Sequence, residues 1–339
     1  MSVGARLAFP AMLTGSAALA FGPWLVRVAD VAPVASAFWR LALAVVPLTV
    51  LAAAARRGTG THQDAAIGGN ATSNPEISAS TRLDMTTLIA IALAGVFFAV
   101  DLALWHLGIA RTTLANSTLM ANSAAFILPV YGFVVARAWP GRTAVIALLC
   151  ASAGIGLLLG RSAELAAAHL TGDLLCIAAG AFYAAYFVAV ERVRARVSPL
   201  TLLALATLAG AVALLPLALA LALTGTSVGG SLLRAATSST LTGTLANGAT
   251  HATSSAFWPR HWAPLILLAL GSQVVGQGLI VFAVGYLPPL VIGLTLLIQP
   301  AISATIGALR FGEGVGPVEV IGMALVATAL VLVRLPSKQ

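Results

Sequence analysis

Two ionisable side chains of opposite charge, Arg40 and Asp101, lie inside long apolar stretches of the sequence. A charged group at the centre of a bilayer costs at least about 2.5 to 3.5 kcal/mol, so each needs a reason to be there. Each lies about eight residues from the end of its stretch that is predicted to face outward, which places both about 12 Å deep at 1.5 Å per residue. Two interpretations follow. One is a structural ion pair that fixes helix packing. The other is a cavity in which Asp101 binds a proton or a substrate amine and Arg40 binds a substrate carboxylate.

The one histidine inside a predicted span is His106. It follows Asp101 by five residues, which is about 140° around a helix, so the two side chains cannot share one narrow face. His106 is either a gating or proton-carrying residue, or a hydrogen-bonded histidine near the membrane interface.

Uncharged polar and aromatic residues add further candidates. The polar ones must find hydrogen-bond partners inside the membrane, either from a substrate or from a neighbouring helix. The aromatic ones would supply cavity walls or packing, and Pro129 and Pro300 are expected to kink their helices because proline removes a backbone donor. The polar candidates are Asn122, Gln273, Gln277 and Gln299, and the aromatic candidates are Trp105, Tyr183 and Tyr186.

The elements that must carry these residues are transmembrane helices. The sequence is 60% hydrophobic and only 8% charged, with a mean hydropathy of +1.00. Apolar runs of this length can cross about 30 Å of hydrocarbon as helices, and no long alternating strand pattern competes with them. We therefore predict an all-α integral membrane protein of about ten helices. The predicted spans are 7–25, 32–55, 85–109, 113–137, 142–160, 172–190, 198–223, 263–284, 287–309 and 316–335.

The net charge of +8 follows membrane topology and not a nucleic-acid surface, because the arginines are scattered between apolar runs. With the N-terminus inside, eleven basic residues fall on the cytoplasmic side and six on the opposite side. The positive-inside rule then predicts that both termini are cytoplasmic, in a bacterial-type inner membrane. Ala18-Leu19-Ala20 offers an alternative, a signal-peptidase site, which would leave nine spans.

The chain divides into two matching halves, 1–160 and 172–335, each with a Gly/Ser/Thr-rich segment predicted to be a flexible loop, 56–84 and 224–262. Residues 88–108 align with 265–285 without a gap, and each is followed by an apolar helix with a mid-span proline. Five spans per half is an odd number, so the halves would insert with opposite orientation. Inverted repeats of this kind are typical of alternating-access transporters, and a purely structural duplication is the alternative.

Several segments resemble one transporter family. They are ASAFWRLALAVVPL (35–48), DLALWHLGIARTTLANSTLMAN (101–122), GDLLCIAAGAFYAAYFVAVERVR (172–194) and the stretch 276–326. These segments are similar to the EamA-type branch of the drug/metabolite transporter superfamily, most strongly in 265–335, where Pro300, Glu313 and Gly322 match the family pattern. The resemblance implies ten helices in two inverted five-helix repeats that move small metabolites, commonly outward.

The sequence therefore predicts a secondary transporter of small metabolites, with amino acids or related zwitterions as the suggested substrates. The absence of a GxxxxGK[ST] loop argues against ATP as the direct energy source, which leaves a proton or ion gradient or uncoupled passage. We expect no cofactor and no metal, and the expected partners are the lipid bilayer, a small-molecule substrate and protons. An intramembrane enzyme would need a nucleophile with a base or paired metal ligands, and the sequence has no HExxH motif and only one histidine, His106, within a predicted span. A channel or a non-transporting membrane scaffold is the remaining alternative.

Overall fold

The computed structural model describes residues 3–66, 84–137, 141–163, 170–224, 256–312 and 316–332. Every regular element in these ranges is a helix, as the long apolar runs without an alternating strand pattern predict. The elements are α1 (Val3–Leu19), α2 (Gly22–Val28), α3 (Pro33–Ala66), α4 (Met85–Ile109), α5 (Leu114–Ala121), α6 (Ala124–Ala136), α7 (Arg142–Ala163), α8 (Leu170–Arg194), α9 (Pro199–Thr224), α10 (Ala263–Leu267), the π-helical segment Leu268–Gly276, α11 (Gln277–Val284), α12 (Pro289–Leu296), α13 (Ile298–Phe311) and α14 (Pro317–Leu332).

Seven helical stretches among the described residues are long and apolar enough to cross a membrane. They coincide with seven of the ten predicted spans. The other three predicted spans contain described helices as well: α5 with α6 in 113–137, α7 in 142–160, and α14 in 316–335. These helices are not among the seven stretches, so the count of ten spans stays a prediction. The seven stretches are Gly4–Val28, Pro33–Arg57, Met85–Ile109, Thr171–Arg194, Pro199–Leu223, Ala263–Val284 and Pro289–Phe311.

Close backbone packing holds α4, the helix that carries Asp101, against α8 and α9. A Cβ atom on Gly95 would lie only 2.5 Å from the carbonyl oxygen of Ala206 in α9, so glycine is required for this approach. Lipid tails are as apolar as the helices, and helix association in membranes therefore depends on such tight packing by small residues. The contact fixes α4 less than two turns from Asp101.

Two of the predicted single spans are broken near their middle. One break separates α5 from α6 at Asn122–Ser123, and the other separates α12 from α13 at Leu297. Pro300 explains the second break, because its ring excludes the carbonyl of the residue four positions earlier, Leu296, where α12 ends. The first break precedes Pro129, and α6 runs through that proline.

The predicted flexible loops need correction at their described ends. Helix α3 continues to Ala66, so residues 56–66 of the first loop are helical; adding turns to an existing helix costs far less than starting one. Residues 256–262 of the second loop contact α3: the Trp39 indole donates a hydrogen bond to the Phe257 carbonyl at 2.8 Å, and its ring lies 5.1 Å from the Trp258 ring at a tilt of 49°. The remainder of both loops and Glu313 lie outside the described residues.

Candidate functional site

A small cavity of about 30 Å³ lies within the bundle, and seven of the ten candidate residues line it. Its walls come from both halves of the chain, since α3, α4 and the α5–α6 break belong to the first half, and α8, α11 and α13 belong to the second. The lining candidates are Arg40, Asp101, Trp105, Asn122, Tyr183, Gln277 and Gln299.

Arg40 is held in place by a polar chain that crosses three helical segments. Its Nε donates to Oε1 of Gln273 at 3.2 Å, and Nε2 of Gln273 donates to the hydroxyl of Thr207 in α9 at 3.1 Å. The guanidinium carbon also lies 5.9 Å from the ring centroids of both Phe98 and Trp105, where the aromatic faces attract a cation. Gln273 itself does not line the cavity and acts as the anchor of Arg40.

Asp101 lines the same cavity as Arg40 but forms no ion pair with it within 4.0 Å. The carboxylate makes no hydrogen bond with any part of the chain that the structure describes, and its side chain is 5% exposed. A buried carboxylate without partners is costly unless a ligand, water or proton compensates it. The structure therefore places an acid without a hydrogen-bond partner and an anchored base around one space.

An aromatic wall closes the side formed by α8. The Tyr183 hydroxyl donates to Oε1 of Gln277 in α11 at 3.2 Å. Tyr183 and Tyr186 are parallel, with interplanar angle 4° and centroids 5.9 Å apart, and Tyr186 stacks on Phe98 at 4.8 Å. Tyr186 supports this wall from behind, since it packs on lining residues without itself lining the cavity.

The two helix breaks meet the cavity through Asn122 and Gln299. Asn122 caps the end of α5, and its Nδ2 donates to the Thr118 carbonyl at 2.7 Å. Gln299 lies in the first turn of α13 and is 5% exposed. Discontinuous helices at the centre of a bundle bring backbone dipole ends to a binding site in many transporters.

Three side-chain nitrogens on cavity-lining residues are buried without a hydrogen-bond partner in the described structure. They are Nη1 of Arg40, Nε2 of Gln277 and Nε2 of Gln299. All three are N–H donors, and the Asp101 carboxylate, an acceptor that lines the same cavity, makes no hydrogen bond with any of them. Buried polar groups in native proteins are normally paired, which makes three orphans at one cavity notable.

Residues 170–335 match the model of the EamA-like transporter family. The second half of this chain is an EamA-like transporter domain. One solved structure, described only as "Crystal structure of protein", has a TM-score of 0.58 at 16% identity over 99% of this chain and 98% of that chain, and this likeness concerns the fold alone. No curated protein matches the chain. The protein is thus a multi-pass membrane protein with a transporter domain, as the sequence resemblance predicts.

The EamA-like domain contributes Tyr183, Gln277 and Gln299 to the cavity, and the first half contributes Arg40 and Asp101. His106, in the first half, does not line it. The His106 ring is fully buried, with Nδ1 2.7 Å from the Ser36 hydroxyl, which itself donates to the Pro33 carbonyl at 2.9 Å. Both contacts are satisfied when Nδ1–H donates to the hydroxyl oxygen, which leaves Nε2 without a partner.

Sequence reasoning missed Phe98 and Thr207. Phe98 lines the cavity, faces the Arg40 guanidinium and stacks on Tyr186. Its position three residues before Asp101 on α4 was the available signal, because residues three apart share a helix face. No local sequence pattern predicts the contact of Thr207, because its hydroxyl accepts a hydrogen bond from Gln273, which is 66 positions away in the chain.

A second set of contacts joins α2 to α13 away from the cavity. The Arg27 guanidinium lies over the Phe311 ring at 5.1 Å, and the Arg310 guanidinium lies over the Trp24 ring at 5.5 Å. Each helix thus supplies one cation and one aromatic ring to the other. This reciprocal clamp ties the first half to the EamA-like domain.

Proposed function

We propose that the protein is a secondary transporter that carries small zwitterionic metabolites, such as amino acids, across the membrane by alternating access. The observation that carries this proposal is the presence of Arg40 and Asp101 in one buried cavity without a direct ion pair. Opposite charges attract strongly in a low-dielectric interior, so a purely structural pair would be expected to close up. Charges kept apart around a space suit a ligand that carries both complementary charges.

Alternating access is supported by the architecture of the cavity. Its walls come from both halves, and a broken helix from each half reaches it, at Asn122 and at Leu297–Gln299. The two breaks occur at similar positions in the halves 1–160 and 172–335, as a repeat would require. We propose that these halves are inverted five-helix repeats that rock around the cavity, giving ten spans in total.

The proposal also covers the energy source of transport and the orientation of the protein in the membrane. Asp101 would bind either a proton or the substrate amine, so a proton gradient, or another ion gradient, would drive transport. The distribution of arginines supports cytoplasmic termini in a bacterial-type inner membrane, and the resemblance to exporters of the EamA type supports outward transport.

The test is transport by purified protein in liposomes. A mixed pool of amino acids and other metabolites would be offered with and without an imposed pH gradient, and mass spectrometry would identify what crosses. We expect Asp101→Asn, which keeps the side-chain shape, to abolish gradient-driven accumulation while the protein stays folded. Normal accumulation by this variant would exclude the proton role of Asp101.

Asp173→Asn is the matched control for that experiment. Asp173 is also a carboxylate on a membrane helix, but it lies outside the cavity and accepts a hydrogen bond from the Thr112 hydroxyl at 2.7 Å. We expect it to leave transport unchanged. Equal loss in both variants would indicate a general effect of removing charge, and no protein-dependent flux of any compound would favour a non-transporting scaffold.

A further inference from the structure

The three unpartnered nitrogens around the cavity come from three separate helices. Arg40 lies on α3, Gln277 begins α11 and Gln299 lies in the first turn of α13, and each side chain is at least 95% buried. Each nitrogen is buried away from water and donates no hydrogen bond to the part of the chain that the structure describes. A single orphan donor can be a local packing defect, but three on the walls of one cavity, none of them bonded to the Asp101 carboxylate there, suit an acceptor supplied by a ligand.

The start of α13 adds a fourth group that carries a partial positive charge and attracts an acceptor. The first N–H groups of a helix have no partner within the helix and carry the positive end of its dipole. The residue before α13, Leu297, makes no side-chain cap to this helix start, which carries the Gln299 amide in its first turn. Helix starts of this kind bind anions, including the carboxylates of transported substrates.

The nature of the anion follows from the charge balance of the cavity. Among the residues that line it, Arg40 supplies one positive charge and Asp101 one negative charge, and the two glutamines are neutral. A ligand with one carboxylate and one ammonium group leaves the buried space neutral. A phosphate dianion would leave an excess negative charge in a low-dielectric site, which is strongly unfavourable.

We propose that Arg40, Gln277 and Gln299 form a carboxylate subsite that holds the acid group of the substrate. This assignment rests on the proposed transport function and makes it specific. The donors lie on helices from both halves, so a bound carboxylate would bridge α3 of the first half to α11 and α13 of the EamA-like domain. The subsite excludes substrates that lack a free carboxylate, including amines and esters.

Equilibrium binding to the purified, full-length protein tests the subsite independently of transport. The probes are L-leucine, L-methionine and L-phenylalanine, the methyl ester of each, and inorganic phosphate, all measured by isothermal titration calorimetry. We expect at least one amino acid to bind, and its methyl ester and phosphate to bind at least about tenfold more weakly, because hydrogen bonds to a charged group are lost. Equal binding of the ester, or binding of none of the three amino acids, would overturn the assignment.

Variants of the donors connect the binding to these residues. Gln299→Leu and Gln277→Leu each remove one donor at nearly constant volume, and each should weaken the amino acid at least about tenfold. Ser303→Ala is the matched control, because it lies one turn beyond Gln299 on α13 and loses a buried hydrogen bond to the Ala20 carbonyl, but it does not line the cavity. It should lower thermal stability and leave affinity unchanged. Unchanged affinity in both glutamine variants, with thermal unfolding showing that they are folded, would refute the subsite.

The two proposals fail in different ways. Transport of compounds without a carboxylate, combined with no selective binding of amino acids, would remove the subsite and leave a transporter. Selective binding of an amino acid without any flux in liposomes would remove the transport function and leave a carboxylate-binding site.

Discussion

One tight contact between the two broken helices gives a specific prediction, because a glycine makes it. A Cβ atom on Gly293 in α12 would lie 2.7 Å from the carbonyl oxygen of Ala125 and 3.1 Å from its Cα, in α6. Pro129 removes the donor that would normally satisfy that carbonyl within α6, so the oxygen is left facing α12. Gly293→Ala would therefore place a methyl group against rigid backbone.

The expected magnitude follows from the distance. Ordinary contacts of a Cβ atom begin near 3.4 Å, so α6 and α12 would have to separate by roughly 0.7 Å at this point. Overpacking of this kind costs typically about 1 to 3 kcal/mol. Ala125 lies three residues after Asn122, which lines the cavity, so the same displacement would disturb the cavity. We expect a lower thermal unfolding temperature and reduced transport in liposomes.

Gly156→Ala in α7 is the matched control for the same substitution. Nothing lies within 4 Å of a Cβ atom at Gly156, so alanine should fit there and should raise stability slightly through its better helix propensity. Both variants would be compared by thermal unfolding in detergent and by flux. If Gly293→Ala were as stable and as active as Gly156→Ala, the inferred contact between α6 and α12 would be wrong.

Two further predictions concern contacts outside the cavity. Arg310→Gln should weaken the clamp and lower stability by about 0.5 to 1 kcal/mol, and a double-mutant cycle with Trp24→Leu should recover a coupling of that size; a coupling near zero would exclude the cation–π contact. Ser36→Ala should destabilise the protein by about 1 to 3 kcal/mol because it leaves the buried His106 ring without its partner, and adding His106→Leu should restore part of this in thermal unfolding. A double variant less stable than Ser36→Ala alone would contradict that reasoning.

The depth of Arg40 and Asp101 in the membrane was predictable from the sequence, but the hydrogen-bond partner of Arg40 was not. Arg40 and Asp101 were placed at similar depth by counting residues from the ends of their apolar runs, and the structure brings both to one cavity. The anchor of Arg40, Gln273, lies 233 positions away in the chain. Nothing local marks that contact, because in a membrane bundle both the lipid-facing and the packed faces of a helix are apolar.

The positions of the helix breaks were also only partly predictable. Prolines indicate where a backbone ladder can fail, and Pro300 does mark the end of α12 at Leu296. In the first half the break falls at Asn122, before Pro129, where no proline explains it. The two residues that end the broken helices, Asn122 and Leu297, lie 175 positions apart. That spacing is close to the separation between residues 88–108 and 265–285, so the break follows the repeat more closely than it follows the prolines.

The contrast between the two charged residues of the cavity has a consequence for coupling. Arg40 is fixed by Gln273 and by two aromatic faces, so its position costs little to maintain when a ligand binds. Asp101 has no such support, and no group in the described structure stabilises its charge by a hydrogen bond. In the proposed transport mechanism, a proton and a substrate amine therefore compete for the Asp101 carboxylate, while the acid end of the substrate stays bound to Arg40. That competition would allow a proton gradient to drive release at one side of the membrane and binding at the other.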